Sequence, residues 1–218
     1  MQVDKNDGMT DQLSVAMTLA FYPRGGSAQV VRYLGRALRS LGTDVTVYCG
    51  SLGPPGVASH AATFFHDLPV QALDFTEAVA WFEDGRDPMD APVPIHPSFE
   101  DRPGVPDRVF VSIDTDAYDR QVATWQALLI ETGPPDLYHV HHLTHINDAV
   151  HLVDHRPVVA HLHGTELTML DDIRTGAPDR WPHAAAWDRR LVAAAHHADR
   201  VIVISPTDRR LAVDLLGL

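Results

Sequence analysis

Two rhythms of apolar residues alternate along the chain, and their alternation predicts an α/β fold. "LSVAMTLAFYP" (13–23) is a mostly apolar run with the length of a buried strand. "RGGSAQVVRYLGRALRSLG" follows at once, with Val30, Leu34, Ala37, Leu38 and Leu41 at helical spacing, Ser27 as the predicted N-cap and Gly42 as the stop. "TDVTVYCG" (43–50) then reads as a second strand. Strand, glycine turn, helix and strand make a βαβ unit, the building block of parallel sheets with right-handed crossovers.

The same order returns in the second half. Tyr118, Val122, Trp125, Leu128 and Leu129 share one face of a helix predicted over 115–132, and Gly133 closes it. The strand "DLYHVHH", a helix near 144–154, the strand "PVVAHLHG" (157–164), an alanine-rich helix near 184–197 and the strand "DRVIVIS" (199–205) follow. Ser205, Pro206 and Asp208 form a helix start, with a cap, a first-turn proline and an early acid. At least five parallel strands result, so the expected fold is a Rossmann-like, doubly wound parallel sheet in one domain. Residues 51–112 show less pattern, and 88–106 holds six prolines without a helical period. An irregular Pro-rich insertion near 86–110 is expected, either folded over a pocket mouth or standing away from it as a plain surface loop.

Composition narrows the function. The chain has 218 residues, of which 45% are hydrophobic and 21% charged, an ordinary globular balance. We expect a polar N-terminal tail over 1–12 and a single domain over 13–218. A net charge of −12 disfavours nucleic acid and anionic membrane surfaces as partners. The single cysteine, Cys49, rules out an intramolecular disulfide and fits a reducing compartment. The N-terminus lacks the basic start and apolar core of a signal peptide, and no apolar run approaches the roughly 20 residues of a membrane span. The location expected on these grounds is cytoplasmic.

In an open parallel sheet, ligands bind beyond the carboxyl ends of the strands. That rule selects Arg24, Gly25, Gly26 and Ser27 after the first strand, then His141, His142 and Thr144 after the "DLYHVHH" strand. It also selects His163, Gly164, Thr165 and Glu166 after the next. Gly25 and Gly26 run directly into a helix, whose free N–H groups and dipole favour an anion, or they form a tight turn with no ligand. G-x-G-x-x-G and the P-loop are both absent, and the second strand ends without the acid that a dinucleotide site expects.

Strand alternation puts His139 and His141 on one face and His142 on the other, and the same two-residue spacing recurs at His161 and His163. Two such pairs could offer nitrogen ligands to zinc, but His139 and His161 read better as buried, hydrogen-bonded supports behind the site. His145, His151 and His155 are expected on a helix surface. No nucleophile elbow is present, and Glu166 is the one acid well placed for a site, either to orient hydroxyls beside His163 or simply to cap a helix.

"FYPRGGSAQVVRYLGRALRSLGTDVTVYCGS", "DLYHVHH", "VVAHLHGTELTML" and "ADRVIVISPTDRRL", in this order, resemble the N-terminal domain of the GT-B glycosyltransferases of family 4, from Leu13 to the end of the chain. The HGTE stretch is similar to the members acting on small soluble acceptors. The resemblance implies two Rossmann-like domains facing across a cleft and transfer of a sugar from a nucleotide-diphosphate donor to a small polar acceptor. It implies retention of anomeric configuration without a protein nucleophile, metal or cofactor. By position, it assigns the catalytic roles to His163 and Glu166 and the donor phosphates to Gly25, Gly26 and Ser27. The acceptor falls to His141, His142, Thr144, Gly164 and Thr165. The family's donor-binding C-terminal domain has no counterpart in this sequence, so a further domain or a partner chain is expected to supply it. A non-catalytic binding half-domain and, third, a zinc-binding α/β protein are the alternatives.

Overall fold

The first apolar run becomes β1 (Ser14–Leu19), with five of its six side chains buried. The chain then turns into α1 (Gly25–Ser40) and returns as β2 (Asp44–Ser51), which pairs in parallel with β1 from Ser14 opposite Asp44 to Leu19 opposite Cys49. The structure, a computed structural model, describes residues 12–218. All but the last residue of the expected tail lies outside that range. Gly42 follows the end of α1 with φ +89°, as its predicted stopping role requires.

The α1 start differs from the expectation. Arg24 is the N-cap and makes no side-chain capping bond, so Ser27 sits inside the first turn. The reason is local: Gly25 adopts φ +64°, which turns the backbone into the helix three residues earlier than a serine cap would.

The middle of the chain is more regular than its pattern suggests. It contains α2 (Ala61–Phe64), β3 (Val70–Asp74) and α3 (Thr76–Glu83), and β3 is the sixth strand. Only Leu73 of β3 is buried, because this is an edge strand, and an edge strand leaves little periodic trace in the sequence. The Pro-rich segment is ordered by side chains from elsewhere. Gln121 Nε2 donates to the Ile95 carbonyl at 2.6 Å, Arg24 donates to Asp107 at 2.5 Å, and His96 is wholly buried.

Next comes α4 (Thr115–Thr132), capped by Asp114, whose carboxylate accepts from Ala117 N–H at 2.8 Å. Then follow β4 (Leu137–His141), α5 (His145–Val153), β5 (Val158–His161), α6 (Thr165–Gly176), α7 (Ala184–His196), β6 (Arg200–Ile202) and α8 (Pro206–Leu216). Ser205 caps α8 as predicted, its hydroxyl accepting from Asp208 N–H at 3.1 Å. His145 is a correction: it is wholly buried, its ring 6.2 Å from Phe110 and 6.3 Å from Trp125. The helix turns its first residue inward beneath the segment that ends at Phe110, so the polar side chain follows its position and not its character. His155 lies past the end of α5, exposed.

All strand pairs are parallel, in the order β3-β2-β1-β4-β5-β6. After β3 the chain returns to the middle of the sheet, so β1 and β4 are neighbours whose following helices leave in opposite directions along the strand order. This is the switch point at which doubly wound sheets open a crevice. None of the described helices is long and apolar enough to cross a membrane.

Candidate functional site

A hollow of about 540 Å³ lies at this carboxyl edge. Gly25, Gly26 and Ser27 line one side of it, and His142, His163 and Thr165 line the other. Phe99, Glu100 and Arg102 of the Pro-rich segment form its lip, so that segment borders the pocket mouth. A second hollow, of about 560 Å³, continues past Phe99 and His163 to Gly164, Asp172, Trp181 and Asp208.

The α1 wall is bare backbone. Its first turn carries no acid and no side-chain cap, and a Cβ built at Gly25 or Gly26 would meet nothing within 4 Å. Open N–H groups at the positive end of a 16-residue helix favour negative charge. Arg24, beside it, is held by Asp107 at 2.5 Å and by the Tyr22 hydroxyl at 3.2 Å, and Asp107 also accepts from Arg102 at 3.1 Å. One buried carboxylate thus fixes two guanidinium groups at the rim.

The opposite wall is built from side chains. Gly164 caps α6 with φ +93°, and Glu166 in the first turn reaches back to accept from His163 N–H at 3.2 and 3.3 Å. Glu166 is fully buried and also lies 3.4 Å from His142 Nδ1. Burial by itself would raise its pKa, but the charge and hydrogen bond of His142 hold the carboxyl below the usual range. The residue therefore anchors both histidines, one by its backbone and one by its ring, while Gly164 at the N-cap receives no side-chain capping bond.

His142 is the only non-glycine with positive φ among the described residues, at +67°. Regular alternation would turn it away from His141; the left-handed backbone instead brings its ring to 4.4 Å from that of His163. Its Nε2 is buried without a hydrogen-bond partner.

Behind this wall stands a column of imidazoles. His141 Nδ1 lies 3.0 Å from His163 Nε2, and His139 Nε2 lies 3.3 Å from His161 Nδ1. The ring of His141 is stacked 4.6 Å from that of His139 and 4.9 Å from that of His161. Burial, and next the neighbouring imidazoles, push His139 down to about 4 and His163 down to about 3, and move His141 in the same direction. These rings are neutral at neutral pH, so they offer lone pairs and N–H donors without net charge.

The structure thus brings Gly25, Gly26, Ser27, His142, His163 and Thr165 around one hollow and Gly164 to the next. His141 and Thr144 do not line either hollow: His141 is sealed behind His163, and Thr144 caps α5, its side chain accepting from Ile146 N–H at 3.3 Å while Asn147 returns a bond to Thr144 N–H. Phe21, Phe99 and Arg102 line the hollow without having been singled out from the sequence. The available signal was the cluster of aromatic and basic residues among the prolines.

The fold and its switch-point crevice define an α/β domain of the Rossmann-like, GT-B kind. The model of the family described as Glycosyltransferase Family 4 matches residues 24–218, and the chain belongs to that family. No curated protein matches it. Among solved structures, sucrose-phosphate synthase from Thermosynechococcus elongatus is similar in fold, with a TM-score of 0.58 at 14% identity over 94% of this chain and 45% of that one. UGT73P12 of Glycyrrhiza uralensis, solved with glycyrrhetinic acid 3-O-monoglucuronide, aligns with a TM-score of 0.48 at 12% identity over 94% of this chain and 47% of that one. This chain therefore spans less than half the length of either.

Proposed function

We propose that residues 13–218 are the acceptor-side half of a retaining glycosyltransferase that moves a hexose from a nucleotide-diphosphate sugar to a hydroxyl of a small polar acceptor in the cytoplasm. The observation that carries this reading is the pairing, across one hollow, of an uncapped helix entrance with two histidines anchored on a buried glutamate. The α1 N–H groups, with Gly25, Gly26 and Ser27, receive the negative charge that builds up on the departing diphosphate. His163 contacts the transferred sugar, and His142, Thr165 and Gly164 hold the acceptor. His141 and Thr144 act through them as supports, and Glu166 positions His142 and His163. In front-side transfer the acceptor O–H bond breaks, its proton passes to a leaving phosphate oxygen, the new C–O bond forms on the face the diphosphate leaves, and the diphosphate departs with the electron pair. Neither a protein nucleophile nor a metal takes part in that step. The donor's nucleoside falls to a second domain or a partner chain, so this chain alone turns over little or nothing.

Calorimetric titration with inorganic pyrophosphate and with an aminocyclitol or malate checks the reading. Pyrophosphate is expected to bind the wild-type chain, and His142→Ala and Thr165→Ala are expected to lose acceptor binding while keeping pyrophosphate. Robust turnover of a nucleotide sugar by the 218-residue protein would refute the half-enzyme reading. Acceptor binding that both variants leave unchanged would refute the site.

A further inference from the structure

We propose that His139, His141 and His161 form a binding site for a single borderline-soft divalent cation of the zinc class, set in the sheet behind the hollow. The site is independent of the transfer reading, because the ion touches neither sugar nor acceptor.

Two observations converge on it. One nitrogen from each of the three buried histidines lies within 4.8 Å of the other two. Zinc at its usual Zn–N distance sets tetrahedral nitrogens roughly 3.3 Å apart, so gathering them takes side-chain rotation of stacked rings and no movement of strands. The strand register fixes the frame: His141 is directly opposite His161, with His139 two residues back on β4.

The second observation is a polar group with nothing to bind. A neutral imidazole offers one donor and one acceptor, and burying either unpaired costs free energy. In the tautomer of His141 that donates Nδ1–H to His163 Nε2, the lone pair of Nε2 stays free, and this atom is buried without a hydrogen-bond partner. A ligating histidine is usually arranged this way, with its other nitrogen held by a second group. The neighbouring strand faces the column with Met17 opposite His139 and Leu19 opposite His141, so the sheet here offers apolar neighbours and no polar partner.

Nitrogen ligands with no carboxylate suit zinc, cobalt, nickel or copper and exclude magnesium or calcium. Occupation would tie β4 to β5 and, through His141, set the orientation of His163 in the hollow.

The test titrates untagged, dialysed wild-type protein with Zn2+ in a calorimeter, and with Co2+ while the visible ligand-field bands are recorded. One equivalent is expected, with a tetrahedral Co2+ spectrum. His139→Gln and His161→Gln should each weaken binding by more than about 100-fold, and His163→Gln, which removes the group orienting His141, by about 10-fold. The exposed stack of His151 on His197, ring centroids 3.8 Å apart, is the rival zinc ligand on the surface, so His151→Gln should leave the one-equivalent site intact. Wild-type protein without saturable one-to-one binding overturns the proposal, whether or not the variants fold. So does a site that survives His139→Gln and vanishes in His151→Gln.

Discussion

The two helix entrances that face each other across the hollow solve the same problem in opposite ways. Each begins at a glycine with positive φ, Gly25 at +64° and Gly164 at +93°. At α1 no side chain caps the turn and no acid enters it. At α6 a buried glutamate takes the preceding N–H and holds the adjacent imidazoles. On the function proposed above, an anion belongs at α1, where the helix's positive end is open, and not at α6, where a carboxylate already answers it. One entrance keeps its field for a ligand, and the other spends it on rigidity.

Acid should disturb this pairing most strongly. An unfolded histidine takes up its proton near pH 6.5, whereas His139 does so at about 4 and both His145 and His163 at about 3. Between those values the unfolded chain binds more protons, so the stability present above pH 6.5 is lost as the pH falls. The loss amounts to about 2 kcal/mol per buried histidine by about pH 5. Urea unfolding at about pH 7 and about pH 5 measures it; equal midpoints would show that the column is not held neutral. α1 itself has no histidine, but His96, packed on Phe21 and Tyr22 beside Arg24, is held down to about 3 by burial and next by that guanidinium, and adds its own loss.

At neutral pH the sharpest contrast is between the two first turns. Glu166→Ala leaves His163 N–H and His142 without their carboxylate and is expected to cost about 3 kcal/mol in denaturant unfolding. Ser27→Ala should cost less than about 0.5 kcal/mol, because Ser27 caps nothing. Similar costs for the two would erase the difference between the entrances.

The smallest effect is the most specific. Gly26 has room for a side chain and lies in the first turn of α1. Gly26→Asp puts an acid where α6 already has one, and should stabilise the protein by about 0.5 kcal/mol. The same change should abolish the rise in Tm that pyrophosphate gives the wild type. A pyrophosphate effect that persists in this variant would place the anion elsewhere.

Much of the fold was legible because its βαβ units repeat clear periods. The 115–132 helix matches α4 residue for residue, since Gly133 and the apolar face leave no alternative ending. β3 was not legible, because an edge strand that buries one side chain carries no alternation. At the candidate site, strand ends pointed to His142, His163 and the two glycines, which line one hollow, but three features lay outside any pattern. His145 turns inward because of the segment above it, Phe99 reaches the hollow from far away in sequence, and the direction of His142 depends on a single backbone angle. Tertiary packing decides the first two and backbone strain the third.

That backbone angle also limits how this sequence can drift. Besides histidine itself, glycine, asparagine and aspartate settle most readily near φ +67°. Of these, asparagine and aspartate are one base change from a histidine codon and glycine is two. The single-step routes open at His142 therefore lead to side chains too short to reproduce an imidazole standing between Glu166 and the hollow. Related sequences should show at this position either histidine or a short residue paired with a changed partner at Glu166, and few intermediates between them.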